Sequence, residues 1–295
     1  MRSPDTSLEG QAQLSAEDFT RIAAIARRAA GLSLASAKRS MIATRIARRL
    51  RETGRADFGS YLDHLETAEG AGELGMLISA LTTNVSHFFR EEHHFRTLVS
   101  EVLPRLAPEA RAGRRIRIWS AGCATGQEPY SIAMALLRSF PEAASWNLRI
   151  LATDIDEVAL ARARAGRYAE RQLDGVPPED RRRFFRAAGD DGVEVRDELR
   201  ALIRFSPLNL IAAWPLRGPF DVIFCRNVVI YFDAATQAAL WPRFHGMLGP
   251  DGILFVGHSE RLDAGSARLF DSIGVTSYRK RNIAADQPKG DRTWH

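Results

Sequence analysis

Apolar residues recur at helical spacing through the first third of the chain. Between residues 15 and 81 they fall three or four positions apart, a pattern that predicts helices with one buried face. The residues that carry the pattern are Phe19, Ile22, Ile25 and Ala26, then Ile42, Ile46 and Leu50, then Tyr61, Leu62 and Leu65, and finally Met76, Leu77, Ala80 and Leu81. The first third therefore reads as a small helical bundle.

Three residues mark the predicted ends of these helices. Ser15 precedes the first apolar group and predicts an N-cap, with Asp18 in place of the usual Glu three residues on. Gly31 and Gly54 fall where helices should stop.

From about residue 115 short apolar runs alternate with helical stretches. The predicted strands are Ile116–Trp119, Leu148–Thr153, Leu202–Phe205, Phe220–Cys225 and Gly252–Val256, and the predicted helices are Pro129–Leu137, Glu157–Arg164 and Ala234–Leu248. This alternation indicates an α/β fold with a mostly parallel sheet covered on both faces. Pro242 should kink or shorten the last helix, and Gly249-Pro250 should stop it.

The alternation breaks between Arg171 and Pro207. Phe184–Phe185, a turn at Gly189–Gly192 and the run Val193–Val195 predict a small inserted antiparallel hairpin. The two ends of the chain, 1–14 and 283–295, are polar and without periodicity, so we expect flexible tails.

The composition is that of a globular protein. The 295 residues suffice for one large domain or for a mid-sized domain with a smaller companion, and 45% apolar and 26% charged residues are ordinary for a globular protein. No stretch reaches the ~18 apolar residues of a membrane span, and the first residues lack the apolar core of a secretory signal. Cys123 and Cys225 are too few for a disulfide framework, so we expect a cytoplasmic protein.

Positive charge is concentrated in one segment. Between Arg21 and Arg55 there are ten Lys or Arg residues and one acid, Glu52, so this segment carries +9 while the whole chain carries +5. Such a patch suggests an acidic partner, which is nucleic acid, an anionic membrane or a carboxylate-rich protein. An ordinary solvated helix surface explains the patch equally well at this point.

The segment Arg115–Tyr130 joins a strand to a helix through a Gly-rich turn. Gly122 and Gly126 are expected to let backbone approach a ligand closely, and Pro129 suits the first helical turn. The spacing is not GxGxxG, and no phosphate-binding Lys follows. A ligand with an adenosine and no pyrophosphate therefore fits better, although turn glycines are more often purely structural.

Two carboxylates follow the second strand. Asp154 stands at its C-terminal end, where a carboxylate accepts hydrogen bonds from both ribose hydroxyls of a nucleoside. Asp156 is expected to cap the next helix. The competing interpretation makes both residues helix caps.

Polar residues also stand at two other apolar segments. In Cys225–Asp233, Asn227 and Tyr231 leave a buried strand at the edge where open α/β folds bind substrates. In Thr82–Glu91, which joins the two halves of the chain, Asn84, Ser86 and Arg90 flank two aromatics that we expect in the core.

Together these motifs resemble the CheR family of chemotaxis receptor methyltransferases. The family patterns appear as Ser86-His-Phe-Phe-Arg90, Gly126-Gln-Glu-Pro-Tyr-Ser-Ile-Ala133, Asn209-Leu210, Arg226–Phe232 and Gly257-His-Ser-Glu260. The resemblance covers about 15–281. It implies a helical, receptor-facing domain over 15–90 and a Rossmann-like methyltransferase domain over 91–282, with a β-subdomain inserted at about 170–200.

The resemblance also implies the cofactor and its contacts. The cofactor is S-adenosylmethionine, which leaves as S-adenosylhomocysteine, and the implied contacts are Asn84, Ser86, Arg90, Glu128, Asp154, Asn209, Leu210, Asn227 and Val228. Ser86 replaces the usual Thr but keeps a hydroxyl, and Val229 replaces a frequent Met. The short Gly189–Gly192 turn resembles members that do not bind a tethering peptide of the receptor.

The implied reaction is direct methyl transfer to a receptor glutamate. A free Glu has a pKa of about 4.3, so the nucleophile is already ionised and no general base is needed. Arg90 is expected to orient a carboxylate and Tyr231 to donate a hydrogen bond at the acceptor site, which makes both catalytic candidates.

The partner is expected to dock on the basic segment. Lys38, Arg45 and Arg49 fall together on a helical wheel and would face the acidic receptor helices. We expect a monomer with no stable nucleic-acid or membrane binding. No metal site is expected, because the adjacent His93 and His94 should point to different sides of a helix.

Two other functions remain open from the sequence. The basic patch and the pI of about 9.6 suit a nucleic-acid methyltransferase, although no aromatic stacking platform is evident. A non-catalytic sensor that binds the cofactor or another nucleotide is the second alternative, and the presence of both Arg90 and Tyr231 argues against it. Pull-down with nucleic acid and a radiolabelled methyl-transfer assay separate these alternatives.

Overall fold

The computed structural model describes residues 14–189 and 192–282, and the chain divides into two compact units after Thr83. The predicted tails, 1–13 and 283–295, lie outside the described residues. Leu14, counted with the first tail, is buried and belongs to the first unit.

The described part of the first unit is helical, as predicted. Its elements are α1 Ala16–Ala30, a 3-10 turn Ser36–Lys38, α2 Arg39–Thr53, α3 Phe58–Leu65 and α4 Ala71–Leu81. The predicted caps are confirmed: Ser15 Oγ accepts a hydrogen bond from the Asp18 amide, and Gly31 and Gly54 end α1 and α2 in the left-handed conformation.

The first unit has an apolar core drawn from the predicted faces. Ile22, Ile46, Tyr61 and Leu77 are all fully buried. In α4 the predicted face is wrong in one place, since Met76 is exposed. The core residue beside Leu77 is Ile78, one position outside the predicted set.

Two of the three expected docking cations bind within the first unit instead. Arg49 Nε and Nη2 donate to the two oxygens of Glu73 at 2.9 and 2.6 Å, and Tyr61 donates to the same carboxylate at 2.7 Å. Arg45 Nη1 lies 2.9–3.2 Å from the carbonyl oxygens of residues 80–82, at the C-terminus of α4, where a cation is favoured. Of the expected face only Lys38 is an exposed cation.

The second unit is built on a seven-stranded mixed sheet. Its strands, in spatial order, are β6 Ile203–Pro207, β2 Leu148–Asp154, β1 Ile116–Ala121, β7 Phe220–Cys225, β8 Leu248–Val256, β10 Ser277–Lys280 and β9 Phe270–Gly274. The first five pair in parallel, and β10 is antiparallel to both of its neighbours. The carboxyl ends of β6, β2, β1 and β7 therefore meet at one edge.

Helices precede β1 and connect the later strands. They are α5 Glu92–Thr97, a π-helical segment Leu98–Val102, α6 Leu103–Arg111, α7 Gln127–Ser139, α8 Glu157–Ala165, α9 Pro178–Phe184, α10 Asp197–Arg200, α11 Ala234–Met247 and α12 Ala264–Ala267, with 3-10 turns at Pro141–Ser145, Glu170–Leu173 and Val229–Tyr231. Despite Pro242, α11 continues to Met247. The helix ends one residue before the predicted end, just ahead of Gly249-Pro250, and β8 begins at Leu248.

The inserted hairpin forms part of a three-stranded sheet. β4 Phe185–Ala187 and β3 Arg167–Ala169 pair antiparallel with β5 Gly192–Val195 on either side. The pairing of Phe185 with Val195 confirms the predicted hairpin, although Phe184 belongs to α9. Asp190 and Asp191 of the predicted turn lie outside the described residues.

The segment 84–90 belongs to the second unit, so the domain boundary lies earlier than residue 90. The cause is packing, because Phe88 contacts Tyr168 and Phe185 edge-on, at centroid distances of 5.0 and 5.7 Å. Phe88 is buried in the core of this unit, as expected for this aromatic.

Candidate functional site

The turn after β1 is shaped by contacts within the protein. Gly122 has φ +84, and a Cβ there would lie 2.3 Å from Val228 Cγ2. Gly126 has φ +96, and a Cβ there would lie 2.9 Å from both Ala163 Cβ and the Tyr168 hydroxyl. Both glycines are therefore required by neighbouring side chains, which agrees with the structural interpretation of turn glycines, and their closeness to a ligand stays a prediction.

Asp154 lies at the centre of this edge of the sheet. It is 8% exposed, and its carboxylate accepts hydrogen bonds from the amides of Ala124 at 2.8 Å and Asp156 at 2.9 Å. Burial raises the pKa of Asp154, although these amides oppose the effect. One oxygen of Asp154 thus fixes the turn after β1 and the other fixes the turn after β2.

Asn84 is brought to the same edge. Its side-chain amide donates to Asp156 Oδ2 at 2.5 Å. Asp156 Oδ1 accepts from the amides of Val158 and Ala159, which confirms the predicted cap of α8. Asn84 and Asp154 therefore lie on the two sides of Asp156.

A buried arginine joins the segments that follow β1 and β7. The Arg226 side chain is 2% exposed, and its Nη1 lies 3.1 Å from Glu128 Oε2. The other oxygen of Glu128 accepts a hydrogen bond from Ser120 at 2.7 Å. Arg226 Nη2 also donates to the carbonyl oxygen of Arg90. Burial raises the pKa of Glu128, and the Arg226 charge opposes that rise.

Glu91 continues this network to the loops after β7 and β8. Its Oε2 lies 3.3 Å from Arg226 Nη2, and its Oε1 accepts from Asn227 Nδ2 at 3.3 Å and from the His258 amide at 3.2 Å. Burial alone would raise the pKa of Glu91. The Arg226 charge and the bonds from His258 and Asn227 outweigh burial and lower it to about 2.

A second buried carboxylate shapes the loop that carries Asn227 and Val228. Glu260 is 3% exposed. Its oxygens accept from the backbone amides of Asn227 and Val228, both at 2.9 Å, of Ile230 at 3.3 Å and of Gly257 at 2.5 Å. Asn227 has φ +58, a left-handed conformation that Asn adopts more readily than most residues with a side chain, and these bonds hold the turn that contains it.

The two catalytic candidates flank this network. Arg90 is partly buried and its Nη1 donates to the Val85 carbonyl oxygen at 3.1 Å. Its neighbours Phe89 and Glu91 both have left-handed backbone, with φ +53 and +55, which is rare away from glycine. Tyr231 is partly exposed and ends the 3-10 turn after Val228. Within the described residues its hydroxyl has no hydrogen-bond partner.

The remaining predicted contacts lie at the carboxyl end of β6 or beside Phe88. Asn209 follows β6, and its Oδ1 accepts from the Ile211 amide at 3.1 Å. The Leu210 side chain is buried, and its carbonyl oxygen accepts from Trp214 and Arg243 at 3.0 and 2.7 Å. Ser86 is partly exposed. Within the described residues, every predicted site residue except Ser86 has a side-chain or backbone group in a hydrogen bond; for Tyr231 it is the backbone amide, which donates to the Val228 carbonyl oxygen at 3.2 Å.

His93 and His94 lie side by side, against the prediction that they point apart. Their ring centroids are 4.1 Å apart, and one nitrogen of each lies within 4.8 Å of a Glu91 oxygen. Arg226 already neutralises that carboxylate. Burial, followed by the charges of Arg226 and His93, lowers the pKa of His94 to about 3. The absence of a metal site stays a prediction.

Several residues of this network were not identified as site residues from the sequence. Arg226 and Glu260 lie inside motifs of the family resemblance, but the sequence predicted no site role for them. Glu91 directly follows Arg90. Their charges were the available signal. Ser120 and Ala124 carry no such signal, since a lone hydroxyl and a backbone amide are common in any turn.

The second unit combines a mixed sheet with a Gly turn after β1, a carboxylate at the end of β2 and polar loops at one edge. This is the arrangement of Rossmann-like methyltransferases that bind S-adenosylmethionine. Residues 84–279 match the family model described as CheR methyltransferase, SAM binding domain. Residues 17–82 match the CheR methyltransferase all-alpha domain. The chain belongs to the CheR methyltransferase family.

Curated relatives agree with this assignment. The chain is 46% identical to a "Probable chemotaxis protein methyltransferase" of Rhizobium etli, over 85% of this chain and 94% of the relative. It is 44% identical to a "Chemotaxis protein methyltransferase" of Escherichia coli, over 90% of this chain and 91% of the relative. It is also 44% identical to the one of Klebsiella aerogenes, over 90% of each. The chain is thus similar to chemotaxis methyltransferases over most of its length.

No helix in the described ranges, 14–189 and 192–282, has the length and apolar character of a membrane span.

Proposed function

We propose that this methyltransferase converts glutamate side chains of chemoreceptors to methyl esters, with S-adenosylmethionine as donor. The observation that carries the proposal is the arrangement of side chains at the edge of the sheet where β1, β2, β6 and β7 end. There Asp154, Glu128 and the Asn227–Val228 loop are fixed by buried hydrogen bonds beside Arg90, the residue we expect to bind a carboxylate.

The residues at this edge fit the cofactor. Asp154 is a buried carboxylate whose two oxygens each accept one backbone amide, so each keeps capacity for a ribose hydroxyl. Glu128 has its side chain 12% exposed and is the acidic group suited to the cationic amino-acid end of the cofactor. Asn84, Ser86, Asn209, Leu210, Asn227 and Val228 complete the proposed contacts. When bound, the cofactor supplies an electrophilic methyl group and leaves as S-adenosylhomocysteine.

The proposed role of Arg90 and Tyr231 is positioning rather than proton transfer. A glutamate acceptor is ionised near neutral pH, so its oxygen needs no base. It needs alignment and partial removal of water, which contribute up to roughly 7–11 kcal/mol for a well-aligned pair. The Arg90 guanidinium suits a carboxylate, and the Tyr231 hydroxyl is a donor without an internal partner in the described residues.

The proposed partner is an acidic receptor helix, but the docking face must be revised. Arg49 is neutralised by Glu73, and Arg45 is bound to the end of α4. Lys38 keeps the proposed role, and Arg51 and Arg55 are exposed cations that follow it in sequence, whereas Arg48 pairs with Glu52 at 2.8 Å. Binding of a tethering peptide, the monomeric state and the cytoplasmic location stay predictions.

A methyl-transfer assay tests the proposal. The purified chain is incubated with radiolabelled S-adenosylmethionine and a receptor cytoplasmic fragment, then treated with base. Release of volatile methanol from the receptor identifies an ester, and loss of that signal in a fragment with Gln at the methylated positions identifies glutamate. Label on added DNA or RNA would instead support a nucleic-acid methyltransferase, and cofactor binding without any transfer would support a sensor.

A further inference from the structure

A groove of about 940 Å³ opens beside the segment that carries Arg90. It lies within the second unit, between residues 86–91, the helical segment from α5 to Ser100, and residues 171–177. Its size falls within the roughly 300–1,000 Å³ that is typical of ligand-binding clefts. None of the proposed cofactor contacts except Ser86 and Arg90 lines it.

The floor of the groove is apolar. Phe89 and Val99 are partly exposed and pack on the core of the second unit. Val99 lies in the π-helical segment Leu98–Val102, and such segments are frequent at functional sites. Phe89 has the left-handed φ of +53 noted above. A rare helix type and a strained aromatic thus meet on one surface that the fold leaves open.

The rim of the groove carries guanidinium groups that lack a carboxylate partner. Arg96 and Arg171 are exposed, and neither forms an ion pair within residues 14–189 and 192–282. Arg138 is engaged, since its Nη1 lies 3.0 Å from Asp180 and it covers the Phe89 ring at 5.7 Å. Arg90 bonds only a carbonyl oxygen in the described chain.

Three acids also line the groove, and they do not cancel this charge. The Glu91 carboxylate already contacts Arg226 and His258. Glu92 and Asp174 are exposed and form no ion pair in the described chain. Three unpaired guanidinium groups, on Arg90, Arg96 and Arg171, therefore stand against two acids. Planar guanidinium groups bind carboxylates in a bidentate way, so the groove favours an acidic ligand.

We propose that this groove receives one amphipathic, acidic helix of the protein that is methylated. Acidic side chains of that helix pair with Arg96 and Arg171, and its apolar side chains rest on Phe89 and Val99. An apolar floor with cations on its rim matches a helix with an apolar face and acidic flanks. The inference rests on the proposed function, since it assumes a protein acceptor.

The position of the groove explains how docking serves the reaction. Ser86 and Arg90 are among the residues that line the groove, so a helix bound there places its carboxylates near the residue proposed to orient the reacting one. Contacts away from the reacting atoms can raise the rate by holding the acceptor in line. The groove would therefore act on the acceptor and leave cofactor affinity unchanged.

Charge reversal tests the proposal. The double variant R96E/R171E is compared with R204E/R268E, which makes the same change of charge at exposed arginines outside the groove. We expect the groove variant to raise KM for the receptor fragment about fivefold or more over the control, and added salt to narrow the difference. The Kd of S-adenosylmethionine, measured by calorimetry, should be the same in both variants.

A crosslinking experiment gives an independent readout. Both native cysteines are buried, so S100C in the groove and S145C on a surface away from it each provide one accessible thiol for a photo-crosslinker. The receptor fragment should crosslink to S100C and not to S145C, and R96E/R171E should reduce the yield.

The outcomes separate the two proposals. If the unaltered protein methylates no receptor fragment, the proposed function fails. If it methylates the fragment while R96E/R171E has the KM of the control and S100C gives no specific crosslink, only the groove inference is overturned. A crosslink of S100C to its own chain would also overturn it, because the groove would then hold a segment of this protein.

Discussion

Nη1 of Arg226 lies 3.1 Å from Oε2 of Glu128, although 98 residues separate them in the sequence. This contact ties the residue after β7 to the first turn of α7. Through the second bond of Arg226, to the Arg90 carbonyl oxygen, it also reaches the segment before α5. Three parts of the chain that carry proposed cofactor contacts are thus fixed by one buried cation.

Replacing Arg226 by Met should strongly destabilise the protein. The change leaves the carboxylates of Glu128 and Glu91 buried without their cation, and breaking a buried pair from one side costs about 3–5 kcal/mol. Urea unfolding followed by circular dichroism measures the loss. R226K keeps the charge but loses the planar guanidinium group, so its free energy of unfolding should lie between those of R226M and the unaltered protein. A loss below about 1 kcal/mol in R226M would show that the network contributes little.

The Glu91 carboxylate should make stability depend on acid pH. Its pKa falls from 4.5 in the unfolded chain to about 2 when folded, so its contribution is complete above pH 4.5 and declines as the pH falls toward 2. The shift corresponds to about 3 kcal/mol. We expect the unaltered protein to exceed E91Q in unfolding free energy at pH 7 by about that amount, and the gap to narrow below pH 4.5. A gap that does not change with pH would rule out the ionised pair.

Gly122 offers a test of how closely the turn after β1 meets the loop after β7. G122A adds a Cβ that would lie 2.3 Å from Val228 Cγ2, at a residue with φ +84. Gly113 has nearly the same φ, +88, with open space around it, so G113A measures the backbone strain alone, about 1–2 kcal/mol. G122A should cost more than G113A and should also weaken S-adenosylmethionine binding, because Val228 must move. If G122A and G113A lowered the free energy of unfolding equally, Val228 would move aside without an energetic penalty.

The sequence predicted the elements better than the contacts between them. β1, β2 and β7 match their apolar runs to within two residues, and the caps at Ser15 and Gly31 follow from local hydrogen bonding. The bonds that shape the site join residues far apart in the chain, such as Asn227 and Glu260, so no local pattern reveals them.

The same limit explains the error in the basic face. Arg49 shares a helical stripe with Lys38 and looks exposed on a wheel, but its partner Glu73 comes from another helix 24 residues away. A helical wheel shows which side chains share a face and does not show what packs against that face. The predicted docking role of Arg45 is wrong for the same reason, since its guanidinium group binds carbonyl oxygens at the end of α4.

Glu260 should determine the shape of the cofactor loop. The Glu260 carboxylate accepts hydrogen bonds from four backbone amides, and E260Q presents an NH₂ group to two of them. The Asn227 turn should therefore loosen while the fold is retained. We expect the affinity for S-adenosylmethionine to fall about tenfold. E260A removes all four bonds and should cost about 3 kcal/mol or more of stability. Calorimetry and thermal unfolding measure the two effects, with E198Q at an exposed site as the control. Cofactor affinity unchanged in E260Q would separate Glu260 from the cofactor site.

Arg90 should affect methyl transfer far more than folding. Its guanidinium bonds only the nearby Val85 carbonyl oxygen in the described chain, so R90A removes little internal structure. Loss of one group that orients reacting charge typically costs about 100-fold in rate, and we expect a fall of that order in kcat/KM for the receptor fragment. The melting temperature should stay close to that of the unaltered protein. The backbone carbonyl of Arg90 keeps its bond to Arg226 in the variant, so a large loss of stability would point to a structural role. Turnover near normal would remove Arg90 from the mechanism and leave Tyr231 as the group at the acceptor site.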